Sequence, residues 1–155
     1  MLVRANDWHQ LGGLCERWFM YAEDIEFCLR AKRFGKKVAL VTHARAQHLI
    51  GQSSKNVNGR ANPAWIVNLF ELYQLEFAAG QLSAMLWKLI VATGFEIRAL
   101  VLLGVNRSWL AATAASGRAG AASFHTYAKA LYTSPIIKNR RHHAYLTRNR
   151  DGWPE

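Results

Sequence analysis

The sequence predicts an α/β fold with few strands, followed by a mainly helical C-terminal region. Three observations predict it. A short apolar, β-branched run at 38–42 follows a helical pattern that ends at Gly35. A polar stretch rich in Gly, Ser and Asn occupies 51–62. Apolar residues at helical spacing then dominate from Asn62-Pro63 onward. The chain has 155 residues, a length suited to one domain. It is 51% hydrophobic and 19% charged, enough apolar surface for a core and unlike a disordered chain.

The elements follow in order. Leu2 and Val3 form or end a short strand, and Asn6 or Asp7 caps a short helix to Leu11. Gly12-Gly13 breaks it, because glycine takes the backbone angles of tight turns at low cost. Residues 16–21 read as an aromatic-rich loop. A helix is predicted from near Ala22, with Ile25, Cys28, Leu29 and Lys32 as its stripe. Glu26 and Arg30 are four apart, in the favourable order for an ion pair. Gly35 stops the helix. A strand at 38–42 and a shorter one at 45–50 come next. Asn62-Pro63 opens a helix, a cap residue followed by proline. Two further helical segments cover about 82–103 and 107–132, the last weakened by Gly117 and Gly120. The resulting division is 1–62, then a helical region at 63–137, then a basic tail at 138–155.

Charge narrows the partners. A formal net charge of +10 favours nucleic acid, phosphate-bearing ligands or an anionic membrane surface. The basic run from Lys138 lacks interleaved aromatics and no helix-turn-helix or RNP pattern is present, which makes nucleic acid the weakest of the three. Cys15 and Cys28 form no CxxC pair, so neither a zinc knuckle nor a redox motif is supported, and a reducing cytosol is the simpler context. The N-terminus has no apolar signal core. No uncharged apolar run reaches the ~18 residues of a spanning helix.

Glu23-Asp24 stands where a helix begins. A carboxylate there faces unpaired N–H groups and the positive end of the dipole, which favour its ionised form, the form a general base requires. Trp18, Phe19 and Tyr21 precede it, aromatic surfaces suited to stacking on a sugar. By themselves two acids in a first turn are ordinary helix starters.

The wider order of residues adds to this. Gly12-Gly13, Glu16, the aromatic pair Trp18-Phe19, Glu23-Asp24 with Glu26 two positions on, Arg30, Gly35, the 38–41 run, His48 and the Gly51 to Ser54 loop occur in one series. This series resembles family 2 glycosyltransferases of the GT-A type, nearest to the bacterial rhamnosyltransferase-like branch. The resemblance covers about residues 1–55 and implies the second half of a GT-A fold, the acceptor side of an inverting sugar transfer. It implies that Asp24 is the catalytic base and that Glu23, Gly12, Gly13 and Trp18 line the acceptor pocket. It implies that Ser53 and Ser54 lie in a loop over the donor, and that His48 helps hold a divalent metal, Mg or Mn, on the diphosphate. The partners implied are a nucleotide-sugar and a glycan or lipid-linked acceptor, with a cytoplasmic location, peripheral at the inner face of the plasma membrane.

Two departures stand out. Leu14-Cys15-Glu16 replaces the family's Phe-Asp-Glu after the glycines. No Asp-x-Asp occurs, since the aspartates are Asp7, Asp24 and Asp151 alone. The family's donor-binding half carries that motif, so the expectation is a truncated form that is inactive alone or active only with a partner chain; the alternatives are a non-catalytic membrane-associated remnant and, ranked below it, a basic nucleic-acid-binding module. The helices beyond residue 63 leave two readings open. They form a bundle packed as core, or an interfacial surface with tryptophan and basic residues on anionic lipid.

Overall fold

The computed structural model describes residues 1–18, 20–47, 61–105 and 111–138. They fall into two compact units, one within 1–47 and the other within 61–138.

The first unit holds α1 (Ala5–Leu11) and α2 (Glu23–Arg33). Gly12 closes α1 in the left-handed conformation, with φ 75°, and Gly13 follows at φ 70°. A Cβ on Gly13 would stand 3.2 Å from the Trp8 ring, so this position needs glycine both for its angle and for its space. Leu11, Phe27 and Ala31 make the buried centre, with Val3 and Trp8 against it. Trp8 and Phe27 meet at 5.4 Å between ring centroids.

The buried face of α2 is not the predicted one. Glu26, Phe27, Arg30 and Ala31 are buried, while Ile25 and Lys32 are exposed. The Glu26–Arg30 pair itself turns inward, because α1 presents carbonyl oxygens that complete its hydrogen bonding. At the far end of α2, Lys36 binds Asp7 at 2.6 Å and donates to Gln10 at 2.9 Å. Both ties join the helices of this unit.

The predicted α/β fold is corrected. Every regular element among the described residues is a helix, and no strand is present among them. The half GT-A sheet is therefore absent there. Leu2 and Val3 are irregular, as are residues 38–42, where Leu40 is 89% exposed. The physical reason is pairing. A strand needs neighbours for its N–H and C=O groups, and none is formed here, so β-branched composition alone does not build one. Residues 45–47 are also irregular, and the rest of that expected strand lies outside the described residues.

The second unit is a three-helix bundle of α3 (Ala64–Glu76), α4 (Gln81–Val105) and α5 (Ala111–Thr133). Asn62 opens α3 by accepting from the Ala64 N–H at 2.9 Å. Lys88 of α4 donates to the Ser134 carbonyl at 3.1 Å, Glu96 meets His125 at 2.9 Å, and Arg98 lies 5.2 Å from the Phe124 ring centroid. Contacts that advance along α4 thus recede along α5, so the two run antiparallel. Their seam is built from small residues: Ala84, Ala92 and Ala99 on one side, Ala121 and Ala128 on the other, all buried. Gly120 allows the same close approach, since a Cβ there would stand 3.2 Å from Leu102. Aromatic rings seal α3 against the hairpin. Trp87 stacks on Phe70 at 5.4 Å and on Tyr73 at 5.1 Å, and Trp65 meets Tyr127 edge-on at 5.4 Å. Buried Gln74 accepts from the Ile137 N–H at 2.9 Å and donates to the Pro135 carbonyl at 3.3 Å, fastening the segment after α5.

Candidate functional site

The first unit contains the residues singled out by sequence. Its organising group is Arg30. The guanidinium makes a two-pronged ion pair with Glu26, through Nε and Nη2 at 2.8 Å each. The same group donates to the Leu11 carbonyl through Nη1, and to the Gly13 carbonyl at 2.8 Å through Nη2. It also lies 5.5 Å from the Phe27 ring centroid. The carbonyls left over at the C-terminal end of α1 thereby find a cationic donor, which both their unpaired lone pairs and the helix dipole favour. One buried arginine fixes the double-glycine turn to α2.

The predicted base stands on the other side of that helix. Asp24 is exposed in the first turn of α2, its Oδ1 accepting from the Ile25 N–H at 2.8 Å. Glu23 is half-buried and accepts from the Ala22 N–H at 2.9 Å. Three acids occupy this turn with two different fates. Glu26 is consumed by Arg30, whereas Asp24 is presented to solvent. Tyr21, just ahead, is a non-glycine residue with φ 81°. An aromatic residue in the left-handed region costs about 1–2 kcal/mol and is held by its surroundings. Its side chain is exposed.

Trp18 is buried at 4% exposure, with Arg17 5.9 Å from its ring centroid. Its ring is therefore enclosed, whereas the Tyr21 ring is exposed; Phe19 lies outside the described residues. Gly12 is half-buried and Gly13 buried at the α1 turn, where the Gly13 carbonyl accepts from Arg30. His48, Ser53 and Ser54 lie outside the described residues.

Among the described residues no group of three His, Cys, Asp or Glu side chains is placed to hold a metal ion.

The sequence spacing identified Glu26 and Arg30 as an ion pair, and the structure adds that the pair is buried. The spacing did not show the reach of Arg30 to α1. The signal was an acid and a base set beside Phe27 and Ala31, an arc that is apolar apart from them.

The chain matches no protein-family model, no curated protein and no solved structure. No helix among the described residues is long and apolar enough to cross a membrane.

Proposed function

We propose that the first unit is the acceptor-side, catalytic-base portion of an inverting glycosyltransferase. The observation that carries this reading is the exposed Asp24 on the first turn of a helix clamped in place by Arg30. A base for sugar transfer has to reach the acceptor hydroxyl, take its proton as the oxygen attacks the anomeric carbon, and hold its position meanwhile. Asp24 has the access, and the Arg30 clamp supplies the rigidity. Tyr21 offers an exposed ring next to it for the apolar face of a sugar. The ordered series from Gly12 to Arg30 supports the same reading by resemblance.

In this proposal the donor is a nucleotide-sugar, and the acceptor is a glycan or a lipid-linked glycan. A cytoplasmic position, peripheral at the inner face of the plasma membrane, suits such an acceptor. The experiment is an amide NMR titration of the intact chain with short oligosaccharides. Shifts concentrated at Tyr21, Glu23, Asp24 and Ile25 are expected. Shifts absent there, or spread without preference, contradict the proposal.

A further inference from the structure

Residues 37–45 of the first unit are exposed throughout. Three aliphatic side chains stand close together there, Val38 at 47%, Leu40 at 89% and Val41 at 64% exposure. Among the described residues, the backbone of Lys37, Val38, Ala39 and Leu40 makes no hydrogen bond. The segment is held at its two ends. The Lys36 N–H donates to the Ala31 carbonyl at 2.9 Å, and the Lys36 ammonium binds Asp7. Beyond the apolar run, the Ala44 N–H closes a turn on the Val41 carbonyl at 3.2 Å. A short β-branched, apolar run with open N–H and C=O groups is the form in which one polypeptide adds to the sheet edge of another. Every regular element among the described residues is a helix, so they supply no such edge.

Charge indicates which edge it fits. Lys37 precedes the apolar run and Arg45 follows it, both exposed. Between Glu26 and Glu71 the sequence contains no acid. A second copy of the segment is a poor partner. Parallel pairing in register sets Lys37 on Lys37, and antiparallel pairing centred on Val41 sets Lys37 opposite Arg45. Like charges directly opposite oppose both arrangements. A nucleic acid would meet the cations, but it offers no ladder of N–H and C=O groups to the backbone between them. A strand with an apolar centre and an acid on either side complements the backbone, the aliphatic side chains and both cations.

We propose that residues 38–42 dock on the sheet edge of a partner protein, along a strand with an apolar centre and acidic flanks. In this chain alone the segment is irregular. Its N–H and C=O groups become paired in the complex, while Lys37 and Arg45 meet the flanking carboxylates. This inference rests on the segment and its own charges, independently of the sugar-transfer reading.

The test is amide hydrogen exchange of the intact chain, read by NMR, with three synthetic peptides. The first alternates valine and threonine between paired glutamates. The second carries lysines in place of the glutamates, and the third keeps the glutamates but has prolines in its centre. The first is expected to slow exchange at Val38, Ala39, Leu40 or Val41 by at least about tenfold, the protection a paired backbone N–H gains. The second is expected to protect less, and the third not at all, since proline cannot donate to a ladder. Leu40→Pro is expected to weaken binding of the first peptide about tenfold with helical circular dichroism unchanged. No protection by the first peptide, equal protection by the first two, protection by the third, or wild-type binding by Leu40→Pro would overturn the proposal. Protection that grows with protein concentration without peptide would also overturn it, in favour of self-pairing. If the variant loses helicity, the three peptides on the unaltered chain decide alone. The peptides contain no sugar, so failure here leaves the acceptor reading intact, and the reverse also holds.

Discussion

Arg30 shows how one side chain sets the geometry of a turn. It is buried, and so are the Glu26 carboxylate and the carbonyls it serves. Removing it leaves an unpaired buried carboxylate and takes a donor from the Leu11 and Gly13 carbonyls. Arg30→Ala is therefore expected to destabilise the first unit by about 3–5 kcal/mol, measured by chemical denaturation. A lysine is not expected to restore stability, because a single ammonium cannot make the forked contacts. Asp7 acts at the surface of the same unit. Its hydrogen bond from Lys36 holds its carboxyl below the usual aspartate range, assisted by the charges of Lys36 and Arg4 and opposed by partial burial. A folded value below the unfolded one stabilises fully above the unfolded value and is lost as pH falls through the folded one. The Lys36 contact is thus expected to persist at neutral pH and to release below the ordinary carboxylate range. Carbon-detected NMR titration of Asp7 checks this, and Asp7→Asn should remove the step.

At the scale of the element, periodicity located helices better than it oriented them. The start of α2 near Ala22 and its stop near Gly35 were legible, because an acidic first turn and a left-handed glycine are local signals. Its buried face was not legible. Ile25 and Lys32 scored as stripe, yet the buried ion pair took their place through contacts to α1, more than fifteen residues away. The run at 38–42 failed for a related reason. Its composition suits a strand, but a strand exists only with a partner, and partners are not encoded locally. Gly117 and Gly120 were read as weaknesses of α5, whereas Gly120 sits at the close approach to Leu102. Gly120→Val is expected to lower stability by about 1–3 kcal/mol in thermal unfolding, the cost of overpacking exceeding the gain in helix propensity.

At the scale of the whole molecule, two units carry separate chemistry. The first presents an acid on a clamped helix, and the second leaves one side of α4 apolar and exposed. The sequence made Asp24 a candidate through the order of its neighbours, and the fold adds that this carboxylate is exposed while Glu26 is not. The other residues expected beside it were less legible. Trp18 is buried and the double glycine lies at the Arg30 clamp, since side-chain burial follows from tertiary contacts that spacing does not report. The most direct measurement of the central claim is the oligosaccharide dissociation constant of the intact chain beside that of Asp24→Ala, with Asp7→Ala as a control acid on α1. Loss of a hydrogen bond to a charged group is expected to weaken binding about tenfold for Asp24→Ala and to leave Asp7→Ala at the wild-type value. Equal affinities for all three proteins would contradict the assignment of Asp24 to the acceptor site.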